Sequence, residues 1–220
     1  MMRLSRHQIA ARVAKDIPDG AYVNLGIGVP TLVADYLPED REIILHTENG
    51  MLGMGGAALP GQEDADLTNA GKVYVTEEIG ASYFHHADSF AMMRGGHIDF
   101  CVMGAYQVSA RGDLANWRTN STTSIPGVGG AMDLAAGAKH VYVVMDLFSK
   151  TGESKLVQNC SYPLTGAECV ERIYTDVAVF DVIPAGVRIL EIFDDLDAGQ
   201  LSTLVGFTLI DATTSATVRN

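Results

Sequence analysis

Cationic side chains are scarce in this sequence: 15 Lys and Arg stand against 27 Asp and Glu, a formal net charge of −12. General nucleic-acid binding needs clustered Lys and Arg to neutralise phosphates, so no nucleic-acid partner is expected. The same deficit sets a condition on any anionic ligand, because local cations, helix N-termini or a partner chain must then supply the positive potential. Cysteine is also rare. Cys101, Cys160 and Cys169 are odd in number and widely spaced, which fits neither a disulfide framework nor a zinc pattern. Reduced, buried thiols are the expectation. No apolar run reaches the ~18 residues of a membrane helix. Arg3, Arg6 and His7 are not followed by the apolar stretch of a signal peptide. A cytoplasmic location without membrane contact is therefore expected.

What is present suits a sizeable core. Of the 220 residues 47% are hydrophobic, enough for one domain. With no internal repeat and no linker, one domain over 1–220 is expected, with residues 208–220 as a frayed tail. Ser5 and Gln8 form a capping box ahead of a helix whose face is Ile9, Val13 and Ile17. Strands over Ala21–Leu25 and Ile43–Leu45 flank a glycine turn and a helix that starts at Pro30 and runs to about Leu37, a βαβ unit. Farther on come a short strand Val73–Thr76, a helix capped by Asp88 or Ser89 and running to Arg94, and a buried strand Ile98–Ala105. Gln107–Trp117 reads as a hairpin around Arg111-Gly112-Asp113, where turn chemistry explains the tripeptide better than adhesion. A helix opened by the stretch Gly127 to Leu134 and running through about Ala138, a strand His140–Met145 and a hairpin turn at Thr151–Lys155 follow. Strands Asp176–Ile183 and Val187–Phe193 lie around Pro184-Ala185-Gly186, and Asp197 caps a last helix to Val205. The pattern predicts an α/β fold: a single open, mostly parallel sheet flanked by helices, with antiparallel hairpins.

The stretch with most chemistry is Ile43-Ile44-Leu45-His46-Thr47-Glu48-Asn49-Gly50-Met51-Leu52-Gly53-Met54-Gly55-Gly56. A strand ends in a carboxylate, and a glycine-rich loop is expected to follow. The carboxyl end of a strand is where open α/β sheets bind ligands. By itself, a Glu there serves as base, metal ligand, nucleophile or simple turn carboxylate. Gly26-Ile27-Gly28 is not a dinucleotide fingerprint, because the third glycine position holds Thr31. Metal binding is not expected either. Neighbouring His85 and His86 point opposite ways on an extended segment, and Glu63, Asp64 and Asp66 read as a solvated acidic loop. Gly127-Val128-Gly129-Gly130 opens a helix whose first backbone amides are free donors.

Four segments together carry a resemblance that extends from about Ser5 to about Val182: Asn24 to Pro30, the Glu48 stretch, Asp113 to Trp117, and Gly127 to Leu134. They resemble the B-type chain of the class I (3-oxoacid type) CoA-transferases, in particular the 3-oxoadipate and succinyl-CoA:3-ketoacid enzymes. The resemblance implies that Glu48 is a nucleophile that forms a glutamyl-CoA thioester in ping-pong turnover. It implies catalytic roles for Asn24, as a donor to the substrate carbonyl or to the nucleophile, and for Gly129. It implies substrate contacts at Asn49, Gly50, Gly26, Gly28, Gly130, Ala131 and Asn116, with His85 and His86 near the acyl pocket. CoA is implied as a co-substrate, with no tightly bound cofactor and no metal. An A-type CoA-transferase partner in an A2B2-type hetero-oligomer is implied, with acyl-CoA and small carboxylic acids as ligands. Succinyl-CoA would be the donor and 3-oxoadipate the acceptor, acetoacetate coming next. The sequence departs from the pattern at Thr47, where Ser is usual, and at Glu77-Glu78-Ile79-Gly80 and Asp146-Leu147-Phe148. An acyl-CoA hydrolase on the same scaffold and a non-catalytic ligand-binding module are the other readings.

Overall fold

The computed structural model describes residues 3–120, 127 and 129–213. The chain divides into two compact units. The amino-terminal unit comprises Ala10–Gly104 and Gly130–Val141, and the carboxyl-terminal unit comprises Met1–Ile9, Ala105–Gly129 and Tyr142–Asn220. The first helix, α1 (Arg6–Asp16), starts as its sequence predicts: the Gln8 amide N–H donates to Ser5 Oγ at 3.3 Å, and the Ser5 N–H donates to Gln8 Oε1 at 2.9 Å. Its face of Ile9, Val13 and Ile17 is fully buried.

In the amino-terminal unit, β1 (Tyr22–Leu25) lies between two parallel partners, β2 (Ile44–Thr47) and, farther along the chain, β5 (Phe100–Gly104). Val23, Cys101 and Val102 are fully buried, as continuous apolar runs at the centre of a parallel sheet require. The residues from Met51 to Gly56, expected as a loop, instead form a strand, β3 (Met51–Ala57), antiparallel to β2. The short strand expected at Val73–Thr76 is the nine-residue β4 (Val75–Tyr83), antiparallel to β3. Backbone pairing overrides the poor strand propensity of glycine here, at the cost of two register irregularities between β3 and β4. β4 ends the strand order of this unit and is exposed from Thr76 to Gly80, so it carries none of the alternation by which strands are recognised. The βαβ unit is present, but its crossover is a 3-10 helical stretch, Val29–Tyr36, with Pro30 in its first turn.

α2 (His86–Arg94) begins two to three residues earlier than its predicted cap: His85, not Asp88 or Ser89, caps it, with Nδ1 accepting from the Ala87 N–H at 3.1 Å. α2 packs on α3 (Ala131–Gly137), where the Met93 carbonyl lies so close to Gly137 that a Cβ would overlap it.

In the carboxyl-terminal unit, β6 (Gln107–Ser109) and β7 (Leu114–Ala115) form the predicted hairpin. Ser109 Oγ donates to Asp113 Oδ2 at 2.7 Å, and Asp113 is buried, so Arg111-Gly112-Asp113 is turn chemistry. β8 (His140–Val144) runs from one unit into the other. β9 (Leu156–Val157) lies parallel to β6. A strand absent from the sequence reading, β10 (Val170–Tyr174), leads into an antiparallel meander with β11 (Ala178–Ile183) and β12 (Gly186–Ile192). Asp181 on β11 bridges Arg172 at 2.6 Å and Arg188 at 2.8 Å across this meander. Asp197 caps α4 (Ala198–Val205) with a complete capping box.

The tail expected to fray over 208–220 is partly ordered. β13 (Ile210–Asp211) pairs parallel with β12, because Leu209 is buried beside the end of α4 and draws the chain back to the sheet. Residues 214–220 lie outside the described residues. All three thiols are free, and burial pushes those of Cys160 and Cys169 up to about 11. Among the described residues no helix is long and apolar enough to cross a membrane.

Removing the Asp197 carboxylate leaves the first amides of α4 without their cap. Asp197→Ala is expected to lower unfolding free energy by about 1 kcal/mol in urea titrations, and Asp197→Asn by less.

Candidate active site

Register decides what meets Glu48. Asn24 pairs with His46 across β1 and β2, and Leu25 with Val102 across β1 and β5. Three parallel strands therefore end together, Gly26 following β1 and Glu48 following β2. The Gly26 N–H donates to the Val102 carbonyl at 2.8 Å. Glu48, Asn49 and Gly50 form the whole connection between β2 and β3. Thr47 and Met51 close it: the Met51 N–H donates to Thr47 Oγ1 at 3.0 Å and the Gly50 N–H to the Thr47 carbonyl at 3.1 Å. Gly50 has φ 116°, and a Cβ there would overlap the Phe84 carbonyl oxygen. The reversal therefore requires glycine. The Phe84 N–H donates to the Gly50 carbonyl at 3.0 Å and ties the far side. Asn49 is exposed at the tip and Glu48 is half-buried beside it.

Behind Glu48 lies a row of buried polar groups. Asn24, His46 and Ser89 are 4%, 2% and 0% exposed. Asn24 Nδ2 is 3.1 Å from His46 Nδ1 and 3.2 Å from the His46 carbonyl. Ser89 Oγ is 3.0 Å from His46 Nε2 and donates to the Thr47 carbonyl at 3.1 Å. Burial lowers the His46 pKa to about 4, so the ring is neutral at physiological pH. In this arrangement the Asn24 amide nitrogen hydrogen-bonds to His46 of the neighbouring strand.

In front of Glu48 sits Gly130, the residue before α3. A Cβ on Gly130 would lie 2.5 Å from Glu48 Oε2, 2.9 Å from Cδ and 3.4 Å from Phe90 Cζ. A side chain there would require the Glu48 carboxylate to shift. Phe90 meets the His86 ring edge-on at 4.8 Å, and the Arg94 guanidinium lies 5.4 Å from the Phe90 centroid. Arg94 Nε bonds Asp133 at 2.6 Å while remaining largely exposed.

The sequence-predicted residues thus divide. Glu48, Asn49, Gly50, Gly26, Gly130 and Ala131 belong to the amino-terminal unit, the first four at the strand ends and the last two at the start of α3. Gly28 also lies there, with φ 91° ahead of the 3-10 stretch. His85 is exposed and engaged as a cap, whereas His86 reaches Phe90. Asn116 and Gly129 belong to the carboxyl-terminal unit, where Asn116 Oδ1 accepts from Thr165 Oγ1 at 2.6 Å and Gly129 is exposed. His46, Ser89 and Phe90 were missed by sequence reasoning. The one available signal was a histidine, His46, directly after the apolar run Ile43-Ile44-Leu45. Among the described residues no group of three or more His, Cys, Asp or Glu is placed to hold a metal. A cleft of about 710 Å³ in the amino-terminal unit, lined by Arg41, Glu42, Ile43, Leu52 and Glu78, opens at the amino end of β2 and does not include Glu48.

Comparison with known proteins converges on one family. The family model described as coenzyme A transferase matches residues 6–192. The chain is 62% identical to the B subunit of the 3-oxoadipate CoA-transferase of Pseudomonas putida, over 94% of its length and 97% of that protein's. It is 50% identical to the B subunit of a probable succinyl-CoA:3-ketoacid coenzyme A transferase of Bacillus subtilis, over 88% and 89% of the two chains. Its fold is that of the Escherichia coli O157:H7 acyl-CoA transferase YdiF, solved as a thioester complex with CoA. The TM-score is 0.71 at 20% identity, and the match spans 97% of this chain and 42% of that one. The chain belongs to the coenzyme A transferase family.

Proposed function

We propose that this chain is the nucleophile-bearing component of a 3-oxoacid CoA-transferase that moves CoA from succinyl-CoA to a 3-oxoacid, 3-oxoadipate before acetoacetate. The observation that carries the reading is the Glu48 carboxylate in a clamped three-residue hairpin connection, seated so close to Gly130 that a Cβ there would displace it. The choice of 3-oxoadipate is supported by the name of the 62% identical Pseudomonas relative. Because relatives of matching length are named as B subunits, we assign an A-type partner chain in an A2B2-type assembly, located in the cytoplasm. A partner also answers the charge deficit, since it brings cations to CoA that a chain of net charge −12 is short of.

The chemistry follows from a carboxylate attacking a thioester. Glu48 adds to the succinyl carbonyl, and the C–S bond breaks to give a mixed anhydride and CoA thiolate. The thiolate attacks the Glu48 carbonyl of that anhydride, releasing succinate and leaving a glutamyl-CoA thioester. The acceptor carboxylate then attacks the thioester and expels the thiolate. The thiolate in turn attacks the acceptor acyl carbonyl and frees Glu48. No net proton is consumed. Each addition builds an oxyanion, and we assign its donors to the main chain around Gly129 and Gly130. The loss of one such donor costs ~3–4 kcal/mol of barrier. His86, edge-on to Phe90, is assigned to the distal carboxylate of the acceptor.

Four outcomes are expected. The chain without its A-type partner turns over no substrate in a coupled assay, and the reconstituted complex does. Complex incubated with succinyl-CoA and then borohydride carries a reduced Glu48 in peptide mass spectra, and the Glu48→Ala complex does not; CoA release with an unmodified Glu48 would instead indicate hydrolysis. Gly130→Ala, which forces a methyl group into the Glu48 carboxylate, lowers kcat by about 10² or more while the complex still assembles. His86→Ala raises KM for 3-oxoadipate about tenfold, the scale of one charge-assisted bond, and leaves KM for acetoacetate unchanged.

A further inference from the structure

The buried row behind Glu48 has a direction that can be read from donors and acceptors alone. Asn24 Nδ2 faces the His46 main-chain carbonyl at 3.2 Å, and a carbonyl only accepts. This fixes the Asn24 amide with its NH2 toward His46, so the same nitrogen donates to Nδ1 at 3.1 Å. A neutral imidazole whose Nδ1 accepts carries its proton on Nε2. Nε2–H then donates to Ser89 Oγ at 3.0 Å. The single hydroxyl hydrogen of Ser89 goes to the Thr47 carbonyl at 3.1 Å. Every hydrogen in the row has one place.

We propose that Asn24, His46 and Ser89 form a one-way hydrogen-bond chain that locks His46 as the Nε2–H tautomer and thereby fixes the two peptide units that aim Glu48. The proposal rests on the reading of Glu48 as the nucleophile. The chain begins at Asn24 on β1 and ends at the carbonyl of Thr47, the peptide from which Glu48 projects. On the way Asn24 also holds the carbonyl of His46, the peptide before that. Rotation of the strand end would break two buried bonds at once, and an unsatisfied buried donor or acceptor is costly. His46, Asn24 and Ser89 are accordingly positioning residues. Among the described residues their hydrogen bonds reach the His46 and Thr47 carbonyls and not the Glu48 carboxylate, so they act through the direction of the Glu48 Cα–Cβ bond.

The opposite tautomer would set Nδ1–H against the Asn24 donor, and the imidazolium would do the same. The groups against the ring are uncharged: Asn24 from β1, Ser89 from α2, and Phe84, whose ring stacks at 6.2 Å. The charged group on its own strand end is Glu48, two residues on. Among the described residues no carboxylate is paired to it, so burial makes the ring resist protonation, which is consistent with its depressed pKa.

Two measurements on the reconstituted complex test this. In the first, the chain is labelled with 15N-histidine, and the His46 signals, assigned by their loss in His46→Gln, are followed by long-range 1H–15N NMR. The expected result is a protonated Nε2 and a bare Nδ1 that persist from pH 8 to pH 5.5. An Nδ1–H tautomer, or titration near the ordinary 6.5, would overturn the proposal. In the second, kcat is counted per borohydride-trappable Glu48, which removes any loss through unfolding. His46→Leu strands the Asn24 donor and the Ser89 hydroxyl and is expected to lower kcat about 10- to 100-fold with KM within about threefold. His46→Gln can accept from Asn24 through Oε1 and donate to Ser89 through Nε2, and it should restore kcat to within about fivefold of wild type. An unchanged kcat in His46→Leu, or equal losses in both variants, would overturn the positioning role. Failure of the parent reading has a separate signature: no trappable thioester at Glu48 in wild type while His46 still reads as Nε2–H.

Discussion

A strand that enters parallel to its neighbour is turned back on itself in three residues, and the rest of the site depends on that reversal. β2 pairs parallel with β1, and β3 leaves antiparallel to β2 directly after Glu48-Asn49-Gly50. The geometry needs a left-handed residue at Gly50 with no Cβ, because the Phe84 carbonyl occupies the space a side chain would fill. The result is a carboxylate held out at the carboxyl end of a parallel sheet on backbone that cannot easily move. A longer loop would have left the Glu48 carboxylate with far more conformational freedom.

Rigidity at the tip is matched by an unusual choice beneath it. Three polar residues occupy positions that a strand or helix would ordinarily fill with aliphatic side chains. Buried polar groups add little net stability when satisfied, about 1 kcal/mol per bond, and cost more than that when one partner is removed. Such a cluster is a poor device for stabilising a fold and a good one for specifying a single geometry. Packing of α2 on α3 completes the enclosure, since α2 brings Ser89 behind Glu48 and Phe90 in front of it.

The positive charge near this site is sparse. Arg94 lies over Phe90 but is committed to Asp133, and the chain as a whole is acidic. Anionic CoA and dicarboxylic acids are better served where a second chain adds its own field.

Much of this protein was legible in the sequence, and the reasons are local. The capping boxes at Ser5 and Asp197 announce themselves because a cap needs only two residues three apart. The buried runs of β5 and β8, the turn at Arg111-Gly112-Asp113 and the Glu48-Asn49-Gly50 triplet are equally local patterns. What misled was also local. Glycines from Gly53 to Gly56 read as a loop, yet pairing with β4 made them a strand, and the exposed β4 showed no period because it lies at a sheet edge. The sequence by itself determined which carboxylate stands at a strand's end and which elements lead into it. Only the tertiary structure decided that the Asn24 amide nitrogen bonds to His46, that Ser89 and Phe90 flank Glu48, and that Gly130 lies against the Glu48 carboxylate. Those relations join residues 22 to 82 positions apart in the chain. Hydrogen-bond direction and steric exclusion over such distances are properties of packed surfaces, and no short-range spacing records them.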